Sequence, residues 1–497
     1  MKSGRDNFIL RFNKLKILAQ GREFSNSIWN MADAVILPFI MLLITPYFIK
    51  KLGTNQYGIW MIVNSIIASI GIVNVGVGDA AIKFISKYRA LENQKEINRI
   101  INTGFSLVVV LAILIILIGS AISFLAARIN LFNLSGANIT LASASIQLGS
   151  IVFAFKQVEQ LLLSIFKGYE RYDTGAGISI ISKFFLLSAQ VLTVVLGYKL
   201  VQIFLVSVFI SILVVLGETI FVKGKFREAS LIPSFNKSSV KEIFSFSTWS
   251  WAQSILSIIA SHIDRFIVIT FAGPTFLAYY ALASTIGTQV HSIFTAGASW
   301  VFPKVSGKTE RKEDINNLYY KMQFVIIVCG FTVITILILF ENIIFRTWLG
   351  IETYTNSILL IKIFLYLAFF NMLSIIPYFF LLGSNLIRVS TFFMFVSVIF
   401  TIGFMMLGYN VLNVSGLAYG KLFSSIITIP IMLAFVHYKI IDKINLLSGL
   451  KIYLPVLMLA ASLYMISIAS IPIFLGGAAL LWLLYREKVS KTFQAQE

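Results

Sequence analysis

The chain alternates between long apolar runs and short polar connections. An apolar helix of about 20 residues spans the roughly 30 Å hydrocarbon core of a bilayer. Only helices and closed barrels satisfy every backbone group there, and these runs lack the period-2 alternation of a membrane strand. The pattern therefore predicts helices near 25–48, 57–78, 101–127, 139–166, 175–197, 200–222, 244–271, 275–299, 320–345, 356–382, 387–408, 412–436, 450–468 and 470–485. The last two runs are divided only around Ser470–Pro472, so counts of twelve or thirteen stay open beside fourteen.

Composition rules out a water-soluble reading. Of 497 residues, 58% are hydrophobic and 12% charged, whereas soluble domains carry about 25% charged residues. The one cysteine, Cys329, lies inside an apolar run, so neither an intrachain disulfide nor a cysteine metal cluster can form. The basic opening stretch, residues 1–24, has no short apolar core followed by a small-residue cleavage site. It is expected to lie on an anionic membrane surface.

The charges set an orientation. Most Lys and Arg fall in the first tail and in the connections after even-numbered spans, such as "KFISKYRALENQKEINR" (83–99), "KGKFREASLIPSFNKSSVKE" (223–242) and "KVSGKTERKED" (304–314). The alternate connections hold few, among them Lys50, Lys51, Arg128, Lys199 and Arg346. This asymmetry predicts that both ends of the multi-pass chain are cytoplasmic. It also accounts for much of the +19 net charge, so nucleic-acid binding is not needed to explain it.

An internal repeat runs through the chain. "KKLGTNQYGIW" (50–60) answers to "TFAGPTFLAYY" (270–280), with Gly53 over Gly273. "ENQKEINRIINTGF" (92–105) answers to "ERKEDINNLYYKMQF" (310–324), with Ile97–Asn98 over Ile315–Asn316. "LSIFKGYERYDTG" answers to "YFFLLGSNLIRVS", with Gly168 over Gly383. The unit holds six spans, an even number, which predicts two like bundles related by an axis along the membrane normal. The expected organisation is a basic segment 1–24, a first six-helix bundle 25–222, a linker 223–243, a second bundle 244–436, two further helices 437–485 and a tail 486–497. Two such bundles leave a cleft that can open to either face, the usual build of an alternating-access transporter.

With the fourteen spans, the stretches "GVGDAAIKFISKYRA" (76–90), "SHIDRFIVITFAGPTFLAYYALAS" (261–284) and "FTAGASWVFPKVSG" (294–307) carry a resemblance. Over about residues 20–485 the chain resembles the multidrug/oligosaccharidyl-lipid/polysaccharide exporter superfamily, and within it the bacterial polysaccharide flippases of the O-antigen type. The resemblance implies an all-α polytopic carrier. It would flip an undecaprenyl-diphosphate-linked oligosaccharide from the cytoplasmic to the outer leaflet, among membrane lipids and beside glycan polymerase or ligase machinery.

Ionisable residues inside the spans are the candidate chemistry, because a charge at a helix centre costs about 2.5–3.5 kcal/mol on insertion scales. Arg265, Lys183, Lys421, Lys156, His262 and Asp264 are the candidate cavity residues. Their basic surplus suits a diphosphate, which Arg binds bidentately and Lys as a point charge. Each has a plainer alternative. Lys156 and Glu159 stand three apart and could pair, and Asp264 could partner a basic residue on another span. His262 and His291 could be packed and hydrogen-bonded, and Lys362 could extend from a span end to the interface. Some drug exporters of the superfamily carry a functional Asp in the first span. Asp33 is therefore a candidate for ion coupling, with a hydrogen bond from Asn30 the alternative role, and Glu159 in the fourth span is a second candidate.

Catalytic motifs are wanting. No GxxxxGK[ST] occurs, and "GVGDAA" (76–81) follows no strand. No resident cofactor is expected, and work would come from a proton or sodium gradient or from removal of product. A cation-coupled multidrug or metabolite antiporter and a lipid II flippase are the alternatives. A membrane glycan polymerase or ligase would need larger outer loops than those near 128–138 and 346–356.

Overall fold

The computed structural model describes residues 38–74, 76–128, 134, 136–226 and 230–441, and only the backbone at 245–250 and 252. The basic opening stretch, Asp33 and the two C-terminal spans lie outside the described residues.

Among the described residues the protein is all helix. The order is α1 (38–52), α2 (Thr54–Ile70), α3 (Val77–Ala90), α4 (Gln94–Arg128), α5 (Ala137–Gly168), α6 (Tyr172–Val195) and α7 (Leu200–Lys225). There follow α8 (Lys237–Ala298), α9 (Val301–Glu310), α10 (Asn316–Leu339), α11 (Glu341–Leu349), α12 (Ile351–Leu373), α13 (Ile375–Gly383) and α14 (Ile387–Lys439). Nine helical stretches among the described residues are long and apolar enough to cross a membrane, and the protein is a multi-pass membrane protein. Large apolar side chains remain exposed along them, such as Leu117 on α4 and Phe209 on α7. In water such a surface would aggregate; in acyl chains it is matched. Hydroxyls in these helices mostly bond the carbonyl one turn back, as Ser65 does to Met61 and Ser207 to Ile203, so they stay satisfied away from water.

Two of the long helices are broken where the sequence predicts two spans. In α8 the break is at Gly273, with φ 74° and ψ 178°, a conformation closed to a residue with a Cβ. Pro274 then opens the second limb, where its missing N–H costs nothing. In α14 the break falls at Leu412 and Asn413. The second predicted span is shorter than expected. It stops in a tight turn at Gly71–Val73, and a left-handed Gly76 starts α3 as a separate helix. The stretch 76–90 is thus a helix of its own rather than the end of a span.

The described chain divides into two compact units, Met1–Ile258 and Ile259–Glu497, with the boundary inside the first limb of α8. The repeat is visible in the backbone of each. All the described positive-φ residues except Gly76 fall in pairs: Gly53 with Gly273, Glu92 with Lys312, Gly136 with Gly350, Glu170 with Asn385, and Gly197 with Asn413. Their separations all lie between 214 and 220 residues.

Close packing repeats too. Gly168 ends α5 against Ile85 of α3, and the Ser86 hydroxyl bonds its carbonyl. Gly383 ends α13 against Val305 and the Ser306 backbone of α9, which stand 220 residues beyond Ile85 and Ser86. In the first unit Gly149 of α5 admits Ile67 of α2; in the second Gly287 of α8 admits the backbone of Phe364 on α12. These are the same two contact positions with the glycine moved to the opposite partner.

Within the first unit the 230–236 segment is held along α4. Asn98 accepts from the Ser230 N–H, Asn102 from the Ile232 N–H, and the Ser106 hydroxyl donates to the Ser234 carbonyl. Near it the Tyr88 hydroxyl donates to Glu242 at 2.9 Å, and Arg99 reaches both Glu96 and Glu242. Burial and the Glu242 carboxylate together raise the Tyr88 pKa.

Candidate functional site

Most of the ionisable residues inside the described spans gather in two places, one in each unit. In the second unit the centre is Asp264, in the first limb of α8 and 1% exposed. An unpaired carboxylate there would carry a desolvation penalty of several kcal/mol, so its partners decide whether it can stay charged. Lys421, on the second limb of α14, places its ammonium 2.5 Å from Oδ2. The Tyr280 hydroxyl, on the second limb of α8, donates to the same oxygen at 2.9 Å. Oδ1 accepts the backbone N–H of Arg265 at 2.9 Å. Both oxygens are therefore satisfied.

Packing aims these groups. The Lys421 ammonium also lies 5.6 Å from the centroid of the Phe364 ring, a cation–π distance, and Tyr280 meets that ring edge-on at 4.9 Å. Gly287 allows α8 to touch the Phe364 backbone. Next to Lys421, Gly420 lies against the backbone of Phe404 and Met405, and Gly416 against Gly408 across the break of α14.

Of the candidate residues, then, Asp264 and Lys421 are brought together as an ion pair. The alternative of a basic partner on another span describes Asp264. Arg265 and His262 are half-buried on the same limb. His291 lies elsewhere, bonded to the Asn371 backbone, in a cavity of about 320 Å³ with Ser374, Tyr378, Ser390, Ser397 and Thr428 on its walls. Lys362 pairs with Glu341 at 3.0 Å.

In the first unit Lys156 and Glu159 of α5 meet Lys183 of α6 around a small cavity, with Ser182 and Ser211 also on its wall. Spacing along one helix could suggest Lys156 and Glu159 as neighbours, but only the packing of α5 against α6 adds Lys183. Glu218 of α7 is an acid that the sequence reading passed over. It is 4% exposed and accepts the Ser182 hydroxyl at 3.1 Å. The signal was present as a lone acid in the apolar run "LVVLGETIFV". Its buried orientation follows from α7 packing on α5 and α6.

Known proteins share this architecture. The lipid II flippase MurJ, in an inward closed conformation, superposes with a TM-score of 0.63 at 17% identity, over 97% of this chain and 99% of that one. An inward-facing multidrug resistance MATE family transporter of the MOP superfamily superposes at 0.61 with 13% identity, over 90% and 97%. At these identities the likeness is one of fold. A Shigella flexneri protein provisionally named an O-antigen transporter is 24% identical over 368 residues, which is 71% of this chain and 83% of that protein. The family described as polysaccharide biosynthesis protein matches residues 24–309, more than half of the sequence. With its bilayer-length helices, its doubled backbone and this match, the chain belongs to the polysaccharide biosynthesis protein family.

Proposed function

We propose that the protein is a transporter, not an enzyme, and that it flips a lipid-linked oligosaccharide from the cytoplasmic to the outer leaflet by alternating access. The undecaprenyl-diphosphate form is the substrate most consistent with the basic side chains inside its spans. The observation that carries the reading is the family match over residues 24–309, in a chain whose spans hold Lys156, Lys183 and Arg265. Basic groups in hydrocarbon are costly to place, and a diphosphate is the part of such a substrate that they would bind. Lys421 has a smaller share, because Asp264 already neutralises it. His262 and Asp264 complete the candidate cavity set, and Asp33 and Glu159 remain candidates for ion coupling, with no resident cofactor. The family likeness favours a bacterial inner membrane and the basic connections favour cytoplasmic termini, with a glycan polymerase or ligase taking up the product on the opposite, outer side.

The test is Arg265→Ala in cells that depend on this protein for their surface glycan. Insertion and folding should be retained, while surface glycan falls at least tenfold and the lipid-linked precursor accumulates inside. Normal surface glycan in that variant would overturn the role given to the basic side chains. Export of organic cations by the unaltered protein would instead favour a multidrug antiporter.

A further inference from the structure

Glu218 is a buried ionisable side chain with no part in the candidate cavity or ion-coupling set. Ser182 donates to Oε1, while Oε2 is buried with no hydrogen-bond partner among the described residues. On one side is the small cavity with Lys156, Glu159 and Lys183, and Ser182 borders it as well. On the other is an apolar groove of about 540 Å³ between α6 and α7, whose walls Ile181, Phe185 and Phe221 are exposed. A carboxylate held this way leaves acceptor capacity unused at a buried oxygen.

The repeat removes the simplest explanation, that packing requires these charges. At a separation of 215 or 216 residues the second unit has Asn371, Ser374, Val398 and Ala434 where the first has Lys156, Glu159, Lys183 and Glu218. Ser397 stands where Ser182 does. The same helix arrangement is built there without one charge. The ionisable groups therefore sit on a scaffold that does not need them for packing, and such groups inside a membrane mark ion pathways and relays.

We propose that Glu218 is a proton-binding site that couples transport to a proton gradient. The charged groups around it are Lys156 and Glu159 from α5 and Lys183 from α6; α2, which also packs on α7, brings none. With both acids ionised the two lysines are balanced. One proton on Glu218 leaves a single positive surplus in this cluster, a charge that favours an anionic headgroup in the transport path; loss of that proton removes it. A proton suits the place better than sodium. Two ammonium groups repel a metal ion, and a proton needs one carboxyl oxygen where sodium needs a shell of several. The coupling rests on the flippase reading, whereas the proton site itself does not.

The experiment uses the full chain, purified and returned to liposomes, with the infrared C=O band of protonated carboxyl followed through a pH titration. A band that titrates in the unaltered protein should be absent from Glu218→Gln, and Ser182→Ala should shift its frequency by removing a hydrogen bond. In cells, Glu218→Gln should insert normally and lower surface glycan at least tenfold. No band assignable to Glu218, or normal glycan in Glu218→Gln, overturns the proposal and leaves the flippase reading standing. A band that titrates, in a protein whose complete deletion leaves surface glycan unchanged, supports the proton site and overturns the flippase reading instead.

Discussion

The two units solve the burial of a carboxylate differently. Asp264 has a full set of partners: an ammonium, a phenol and a backbone N–H are shared between its two oxygens. Glu218 has one hydroxyl on one oxygen. The repeat makes the contrast sharper, because neither carboxylate has an acidic counterpart in the other unit. Ile44 and Leu205 stand where the second unit has Asp264 and Lys421, and Ala434 stands where the first has Glu218. The backbone was doubled and the charge was not. A satisfied acid is a fixture of the architecture; an acid with an idle oxygen is available to change its state.

The largest expected effect comes from breaking the satisfied cluster. Lys421→Met leaves the Asp264 carboxylate buried without its counter-charge, a loss of about 3–5 kcal/mol for a pair of this kind. It should be read as a lower melting temperature in detergent and poor recovery from membranes. Adding Asp264→Asn to Lys421→Met should restore most of the loss. If the single variant melts like the unaltered protein, Asp264 is not held by Lys421 and the contrast between the units fails.

Tyr280→Phe should cost less, about 1.5–3 kcal/mol, the range for a hydrogen bond to a charged group. A double-mutant cycle with Asp264→Asn should show that the two changes are coupled and not additive. Additive losses would mean that the phenol contributes through ring packing on Phe364 alone.

The third test addresses the shared scaffold. A Cβ at Gly168 would meet Ile85 at 2.7 Å, and one at Gly383 would meet Val305 at 2.7 Å. Gly168→Ala and Gly383→Ala should therefore each destabilise by about 1–3 kcal/mol, the range for overpacking. The two losses should match. A large loss in one unit and none in the other would show that the repeated contact is geometric only.

Much of this architecture was legible in the sequence. Run length and the lack of alternation located the helices, because lipid leaves the backbone few choices. Gly273–Pro274 announced the break in α8, since that dipeptide fits a left-handed stop followed by a helix start. The offset between Gly53 and Gly273 recurs in their shared positive φ. The turn at 71–76 was less legible, because "GIVNVGVG" is as apolar as the span before it, and hydropathy does not register a glycine in the left-handed region.

The candidate site was read less completely. Asp264 and Lys421 were both marked by the cost of placing charge in hydrocarbon, but they are 157 residues apart and only packing joins them. Glu218 carried the same mark and was overlooked. Tyr280 could not be singled out among 19 tyrosines, since its role depends on a hydroxyl reaching back across the break in α8.

The glycines flanking the turn of α14 carry a last implication. Where two helical limbs touch main chain to main chain, no rotamer stands between them to absorb a shift. Lys421 follows directly on Gly420, so its ammonium inherits the position of the limb rather than that of a yielding layer of side chains. A methyl group added at Gly416 or Gly420 would re-aim a cation several ångströms away without touching it, and substitutions that never meet the acid could in this way retune its counter-ion.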